Sequence, residues 1–140
     1  VVIANFNCPG QIVISGDEKS VITVCEKSKE RGAKRTILLK VDGAFHSPLM
    51  EDAKNDFEIA LNKTKIKTPI YPIYQNFSAK KEINSSIIRK NLSSQLTGAV
   101  KWNQSVEKMI KDGTNEFHEI GPGNVLRGLV RKINRDIIIY

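Results

Sequence analysis

Cysteine and aromatic residues are scarce in this sequence of 140 residues, and long apolar runs are absent. The two cysteines, Cys8 and Cys25, are too few for a disulfide framework. Together with His46 and His118 they do not make a zinc-ligand spacing. No run of about 18 apolar residues exists, which excludes a transmembrane helix, and no signal or transit peptide is recognisable. These absences favour a reduced, intracellular compartment.

The net charge of +7 narrows the class of binding partner. A basic domain can bind nucleic acid, anionic lipid or an acidic protein. The Lys and Arg residues are scattered, however, and only 6% of the residues are aromatic. A nucleic-acid binder of the stacking type would interleave aromatic and basic residues, which this chain does not do. The charge therefore favours an acidic partner or an anionic cofactor, with a solvated lysine-rich surface as the plain alternative.

Apolar spacing predicts an alternation of strands and helices, and hence an α/β fold with a parallel or mixed sheet. The predicted strands cover residues 1–7, 11–15, 35–41, 70–75 and 116–120. The predicted helices cover residues 17–31, 48–62, 85–96, 101–111 and 124–133, and residues 78–84 are a predicted polar loop. Ser47 followed by Pro48 marks a helix start, since Ser is a favoured N-cap and Pro a favoured first helical residue.

His46 is the strongest candidate for a chemical role. It lies between a predicted strand and the helix that Ser47 begins, on a type of connection where a rigid scaffold aims side chains at a cleft. The helix N-terminus that follows favours a neutral ring, which can act as a general base. The position of His46 in the sequence is also compatible with a histidine that only forms a structural hydrogen bond. His118 lies on a predicted strand and is expected to point toward solvent.

No nucleophile can be identified from the residues. The Gly-x-Ser-x-Gly elbow of serine catalysis is absent. The segment Gly121-Pro122-Gly123-Asn124 resembles an anion-binding turn, but it lacks a nucleotide fingerprint and a P-loop lysine, so a structural turn between a strand and a helix is the prediction. The residues by themselves predict an α/β domain with one candidate catalytic histidine.

Four segments, taken together, resemble the malonyl-CoA:acyl carrier protein transacylases. They are ANFNCPGQIVISG at 4–16, GAKR at 32–35 with GAFHSPLM at 43–50, QL at 95–96 with VKW at 100–102 and SV at 105–106, and EIGPGNVLRGL at 119–129. All four occur in the order and spacing of that family, and they cover almost the whole chain.

This resemblance implies a division into two parts. Residues 1–41 would be part of a ferredoxin-like small subdomain, and residues 42–140 the C-terminal part of an α/β-hydrolase-like large subdomain. The family's serine elbow, oxyanion-hole amides and malonyl-binding arginine lie in its N-terminal half and have no counterpart here. We therefore expect a C-terminal half that is inactive alone. Its exposed sheet edge would make it marginally stable or dependent on a partner.

The implied reaction is a ping-pong transfer in fatty acid biosynthesis. The malonyl group would pass from malonyl-CoA, a substrate, to the phosphopantetheine thiol of acyl carrier protein, through a malonyl-serine in the missing half and without cofactor or metal. The expected location is the cytoplasm, or a plastid or mitochondrion in a eukaryote. His46 matches the catalytic base, and Gln95 the residue whose backbone carbonyl orients it. Phe45 matches the residue type of malonyl-selective members.

The resemblance also implies two sets of binding residues. Those near the path of the pantetheine arm are Asn5, Asn7 and Gln11. Those presented to the acidic carrier protein are Lys34, Arg35, Arg131 and Lys132.

Three alternatives stay open at this point. The chain could be an acyltransferase domain of a polyketide or fatty-acid synthase, whose carrier is a linked domain. It could be an inactive module that only docks acyl carrier protein, which the absent serine favours. A basic nucleic-acid binder is the third alternative, and the few aromatic residues count against it.

Overall fold

The computed structural model describes all residues from 1 to 140. The helices are α1 (Glu18–Glu30), a short 3₁₀ helix (Pro48–Met50), α2 (Glu51–Lys63), α3 (Ser85–Gln95), α4 (Trp102–Lys111) and α5 (Val125–Ile133). The strands are β1 (Val2–Cys8), β2 (Gln11–Ser15), β3 (Ile73–Gln75), β4 (Lys80–Glu82), β5 (Glu116–Phe117) and β6 (Ile138–Ile139). The predicted α/β class is confirmed. None of the helices combines the length and apolarity needed to cross a bilayer.

The starts of α1 and α3 agree with the sequence because side chains cap them. Asp17 Oδ1 accepts a hydrogen bond from Ser20 N at 3.0 Å, at the start of α1. Asn84 Oδ1 accepts from Ser86 N at 2.9 Å, at the start of α3. Such caps satisfy backbone N–H groups that have no partner within the helix. The helix predicted at 48–62 is present, with its first turn in the tighter 3₁₀ form.

The strands form three two-stranded sheets instead of one continuous sheet. β1 pairs with β2 and β3 with β4 in antiparallel fashion, whereas β5 and β6 are parallel. β4 lies inside the predicted polar loop, so that prediction was wrong. Its Lys-Lys-Glu sequence has no apolar alternation, and hydrogen bonding to β3 makes it a strand.

The strand predicted at residues 35–41 does not form. Ile37, Leu38 and Leu39 are each 59–60% exposed, and the one backbone hydrogen bond of the segment joins Val41 N to Leu39 O at 3.1 Å. Consecutive apolar residues are typical of a strand that is buried on both faces. Here no other strand of the 140 residues pairs with the segment, so it has a strand-like sequence but does not form a strand.

Two further predicted strands are shorter than expected. The strand at 70–75 is reduced to β3, and Ile70 is 91% exposed, so it is not the buried strand that its flanking prolines indicated. The strand at 116–120 is reduced to β5. Both segments keep apolar side chains that nothing in this chain covers.

The core lies between α4 and α5. Its buried centre is Val106, Val130 and Ile139, and half-buried Trp102 and Phe117 pack against it. β1 is hydrogen-bonded to the connection between α3 and α4, since Phe6 N donates to Val100 O at 2.9 Å and Val100 N donates to Ala4 O at 2.8 Å. The β1–β2 hairpin is therefore held beside the residues that follow α3.

Candidate active site

The imidazole of His46 is hydrogen-bonded to the backbone of Gln95, the last residue of α3. His46 Nδ1 lies 2.9 Å from Gln95 O. A carbonyl oxygen can only accept, so Nδ1 carries the proton in this bond. Nε2 is then left with a free lone pair, which is the form of the ring that can take up a proton.

Hydrogen bonds of the Ser47 side chain hold the backbone before and after His46. Ser47 Oγ donates to Ala44 O at 2.6 Å and accepts from Leu49 N at 3.2 Å, which confirms the predicted N-cap. Ser47 is only 1% exposed. His46 itself has φ 62°, in the left-handed region that residues other than glycine rarely adopt. The histidine is therefore held in an uncommon backbone conformation by its neighbours.

The turn after Gln95 is tightly packed. Gln95 Nε2 donates to Gly98 O at 2.8 Å. It also lies 3.5 Å from His46 Nδ1, but with Nδ1 protonated that contact joins two donors and is not a hydrogen bond. A Cβ at Gly98 would lie 2.7 Å from two ring carbons of Phe77 and 2.8 Å from Ser94 O. No residue pattern in the sequence indicates that Gly98 and Phe77 pack beside the carbonyl of Gln95.

The position of Gln95 in α3 also matters for charge. Its carbonyl belongs to the last turn of the helix, where carbonyl groups lack partners within the helix and the helix dipole is negative. Such a carbonyl is therefore free to accept the hydrogen bond from His46 Nδ1. The geometry resembles that of the histidine and its orienting acceptor in a catalytic triad, with a neutral carbonyl as the acceptor.

Phe45 precedes His46 and is half exposed. Its ring lies over Gly43, 3.4 Å from the point where a Cβ of that residue would be. The ring is thus free to form part of a wall next to the histidine.

The polar residues predicted along the pantetheine path lie on the hairpin. Asn5 and Asn7 are half-buried on β1, and Asn5 forms an isolated bridge with Val100 in the connection between α3 and α4. Gln11 is exposed at the start of β2, where its Oε1 accepts from Cys8 Sγ at 3.7 Å and from Lys132 Nζ at 3.4 Å. The structure therefore brings Gln11 and Lys132 together, although 121 positions separate them.

The four basic residues predicted to contact a carrier protein are all exposed: Lys34, Arg35, Arg131 and Lys132. The last two lie in the final turn of α5, where positive side chains also complement the helix dipole. Of the four, Lys132 is the one whose contact with the hairpin is defined.

The turn before α5 is filled by a side chain of the protein. Glu119 Oε1 accepts from Leu126 N at 3.0 Å, and Glu119 Oε2 accepts from Arg127 N at 2.9 Å. A carboxylate of the chain thus occupies the place that an external anion would take at a helix N-terminus. The prediction of a structural turn is confirmed, and Glu119 is the capping residue that sequence reasoning missed.

The second histidine faces solvent, as predicted. His118 Nε2 lies 2.6 Å from Glu116 Oε1, and its ring stacks on Tyr140 with the centroids 4.9 Å apart. Elsewhere, no group of three or more His, Cys, Asp or Glu side chains is placed to hold a metal ion.

A separate polar cluster joins β3 to the end of α4. Tyr74 Oη donates to Asp112 Oδ2 at 2.6 Å, Lys108 Nζ donates to Asp112 Oδ1, and Lys81 Nζ lies 3.7 Å from Asp112 Oδ2. The hydrogen bonds from Lys108 and Tyr74 lower the pKa of Asp112 to about 2. The hydrogen bond to Asp112 raises the pKa of Tyr74 to about 12. The cluster is an electrostatic contact that links β3, β4 and the end of α4.

Comparison with known proteins shows a match over nearly the whole chain. Residues 1–136 match the acyl transferase domain family. The malonyl CoA-acyl carrier protein transacylase of Bacillus subtilis is 46% identical over 135 residues, which are 96% of this chain and 43% of that protein. The chain therefore spans less than half the length of this relative.

Solved structures agree with this match. The crystal structure of an acyl-carrier-protein-S-malonyltransferase from Bartonella henselae is 43% identical, with a TM-score of 0.95 over 99% of this chain and 44% of that chain. A malonyl-transacylase in complex with its type II PKS acyl-carrier protein is 34% identical, with a TM-score of 0.94 over 98% of this chain and 44% of that chain.

Proposed function

The chain belongs to the acyl transferase domain family, and from that premise we propose that it provides the general base for malonyl transfer from malonyl-CoA to the phosphopantetheine thiol of acyl carrier protein. The observation that carries this proposal is the 2.9 Å contact between His46 Nδ1 and Gln95 O, which leaves Nε2 free to accept a proton. The names of the Bacillus and Bartonella relatives supply the reaction class.

In the first half-reaction a serine outside these 140 residues is the nucleophile. His46 Nε2 takes the serine proton while the serine oxygen attacks the thioester carbon of malonyl-CoA. The carbon–sulfur bond then breaks, and the coenzyme A thiolate leaves with the proton that the ring held. The products are a malonyl-serine ester and free coenzyme A.

The second half-reaction runs through the same base. The phosphopantetheine thiol of the carrier protein gives its proton to Nε2, and its sulfur attacks the ester carbon. The carbon–oxygen bond breaks, and the proton returns to the serine oxygen. Thiolates are weaker bases than amines, so the backbone carbonyl of Gln95 suffices where proteases use a carboxylate. No cofactor takes part in either step.

The neighbours of His46 fit the substrates of this reaction. The half-exposed ring of Phe45 would crowd an α-methyl branch and so favour malonyl over methylmalonyl. Asn5, Asn7 and Gln11 would line the pantetheine path, which is supported by the pairing of β1 with the connection that follows Gln95.

Acyl carrier protein would dock on the basic residues Lys34, Arg35, Arg131 and Lys132. All four are exposed, and Lys132 reaches the hairpin at Gln11. Charge complementarity of this kind mainly accelerates encounter and selects the partner.

A second partner in this proposal is the N-terminal half of the same enzyme. The accessible surface of this chain is 10023 Å². A compact monomer of 15.7 kDa would expose only about 7,300 Å². The excess includes the strongly exposed apolar residues Ile37, Leu39, Ile70 and Ile120. A surface of this kind fits a binding face for more polypeptide.

The resemblance of the chain to the acyltransferases also leads us to propose a division into two subdomains. Residues 1–41 would be the partial ferredoxin-like subdomain, and residues 42–140 the C-terminal part of the α/β-hydrolase-like subdomain. In that arrangement residues 35–41 become a strand once a neighbouring strand supplies its hydrogen bonds.

Intact-mass analysis after incubation with malonyl-CoA tests the proposal. The chain would be compared with a longer protein that joins it to the N-terminal portion of a relative such as the Bacillus transacylase. Malonylation of the joined protein alone is the expected result. Labelling of the short chain would reveal a nucleophile within it, with Cys8 the first to test. Labelling of neither protein would overturn the proposal in favour of a function limited to docking the carrier.

A further inference from the structure

We infer that Ser47 is a positioning residue for His46: its hydroxyl holds the connection that aims the imidazole at the carbonyl of Gln95. The geometric part of this inference depends only on the structure of the chain. Its catalytic consequence rests on the proposed function.

The hydroxyl of Ser47 uses both of its hydrogen-bonding capacities on the backbone around the histidine. It donates to Ala44 O at 2.6 Å, two residues before His46, and accepts from Leu49 N at 3.2 Å, three residues after it. Ser47 is 1% exposed, so water does not compete for either bond. One buried oxygen thus links Ala44 and Leu49, which lie on either side of His46.

The segment needs such a constraint because His46 has φ 62°. Residues with a Cβ leave this conformation unless their surroundings hold them there. The backbone bond from Ser47 N to Ala44 O, at 3.2 Å, would survive removal of the hydroxyl, but the link to Leu49 would not. We therefore expect the connection to loosen rather than unfold when the hydroxyl is lost.

A loosened connection would weaken the hydrogen bond between the His46 ring and Gln95, which is the contact that holds the ring to a distant part of the chain. The contact between His46 Nδ1 and Gln95 O selects the tautomer with the proton on Nδ1. A ring free to turn away from Gln95 would populate the other tautomer, in which Nε2 carries a proton and cannot act as a base. A purely structural N-cap would instead lower stability without changing the tautomer.

The test compares Ser47→Ala with Ser105→Ala. Ser105 is a matched control, since it is 2% exposed and its Oγ donates to a backbone oxygen, Lys101 O, at 2.8 Å inside α4. The readout is the pair of imidazole ¹⁵N chemical shifts of His46 in the labelled joined protein used for malonylation, with the exposed His118 as an internal reference. It requires no malonyl-CoA, so failure of the inference is distinguishable from failure of the proposed function.

The wild type and Ser105→Ala are expected to show one tautomer, with the proton on Nδ1, whereas Ser47→Ala shows a mixture of both. In the joined protein used for malonylation, Ser47→Ala should also lower kcat by about tenfold without raising the KM for malonyl-CoA. A single unchanged tautomer in Ser47→Ala would overturn the inference. If Ser47→Ala does not fold, Ser47→Cys decides, because the thiol has nearly the same shape but forms much weaker hydrogen bonds: a mixture of tautomers supports the inference, and a single tautomer overturns it.

Discussion

His46 Nδ1 and the backbone oxygen of Gln95 lie 2.9 Å apart, although 49 positions separate the two residues. His46 has a left-handed backbone conformation, and this contact joins its ring to the C-terminal end of α3. It fixes the ring in one tautomer, with the proton on Nδ1 and a free lone pair on Nε2.

Loss of the imidazole should abolish most of the proposed activity. In the joined protein, His46→Ala is expected to reduce malonyl transfer to acyl carrier protein by about two or more orders of magnitude, because both half-reactions pass a proton through Nε2. Steady-state kcat/KM measures this. His118→Ala is the control, since His118 is exposed and bonded to Glu116, and it should leave the rate unchanged. Equal losses in both variants would contradict the role of His46.

Removal of the Gln95 side chain should matter much less. Gln95→Ala keeps the backbone carbonyl that accepts from His46 Nδ1, so the variant is expected to retain most activity. The same kinetic assay applies. A loss as large as that of His46→Ala would mean that the side-chain bond to Gly98 O, and not only the backbone, maintains the site.

Gly98→Ala should destabilise the protein. The added Cβ would lie 2.7 Å from the Phe77 ring and 2.8 Å from Ser94 O, so the turn after Gln95 must shift, at a cost of about 1–3 kcal/mol in the free energy of unfolding. Gly128→Ala is the control. Gly128 lies in α5 with no atom within 4 Å of its added Cβ, so this variant should gain about 0.5–1 kcal/mol. Denaturant unfolding of both variants measures the difference, and equal stabilities would show that the turn adapts freely.

Asp112→Asn should lower stability in a manner that depends on pH. The pKa of Asp112 is lowered to about 2 in the folded protein, chiefly by hydrogen bonds from Lys108 and Tyr74. An Asp with a depressed pKa stabilises the fold above its unfolded pKa of about 3.9, and this contribution is lost as the pH falls through the folded value.

The wild type should therefore melt at a higher temperature than Asp112→Asn. This difference should be largest at pH 7 and should decrease between about pH 4 and pH 2. Asp136→Asn is the control, because Asp136 forms no ion pair in this chain. A difference that stayed constant over this range would show that the ionised carboxylate is not the source of the effect.

Lys132→Glu should weaken binding of acyl carrier protein. Lys132 lies where α5 meets the hairpin at Gln11, and reversing its charge would repel an acidic partner, more strongly at low salt. Titration calorimetry of the joined protein at two salt concentrations measures this. Lys65→Glu makes the same change in net charge at an exposed site between α2 and β3. Equal weakening by both variants would point to overall charge rather than a defined docking surface.

Local patterns in the sequence were enough for the helices and for the class of the fold. Caps such as Asp17 and Ser47 act on backbone groups a few residues away, so their effect can be read without the fold. The short strands were less predictable. β4 exists only because β3 lies beside it, and residues 35–41 have a strand pattern but no partner strand in this chain.

The sequence by itself determined the α/β class, the helix starts and His46 as the candidate base, because these depend on residue type and near neighbours. Only the tertiary structure decided that the His46 ring meets a carbonyl of α3, that Glu119 fills the turn before α5, and that Lys132 reaches Gln11. Such contacts join positions far apart in the chain. Their geometry depends on how helices and strands pack, and no local pattern of residues encodes it.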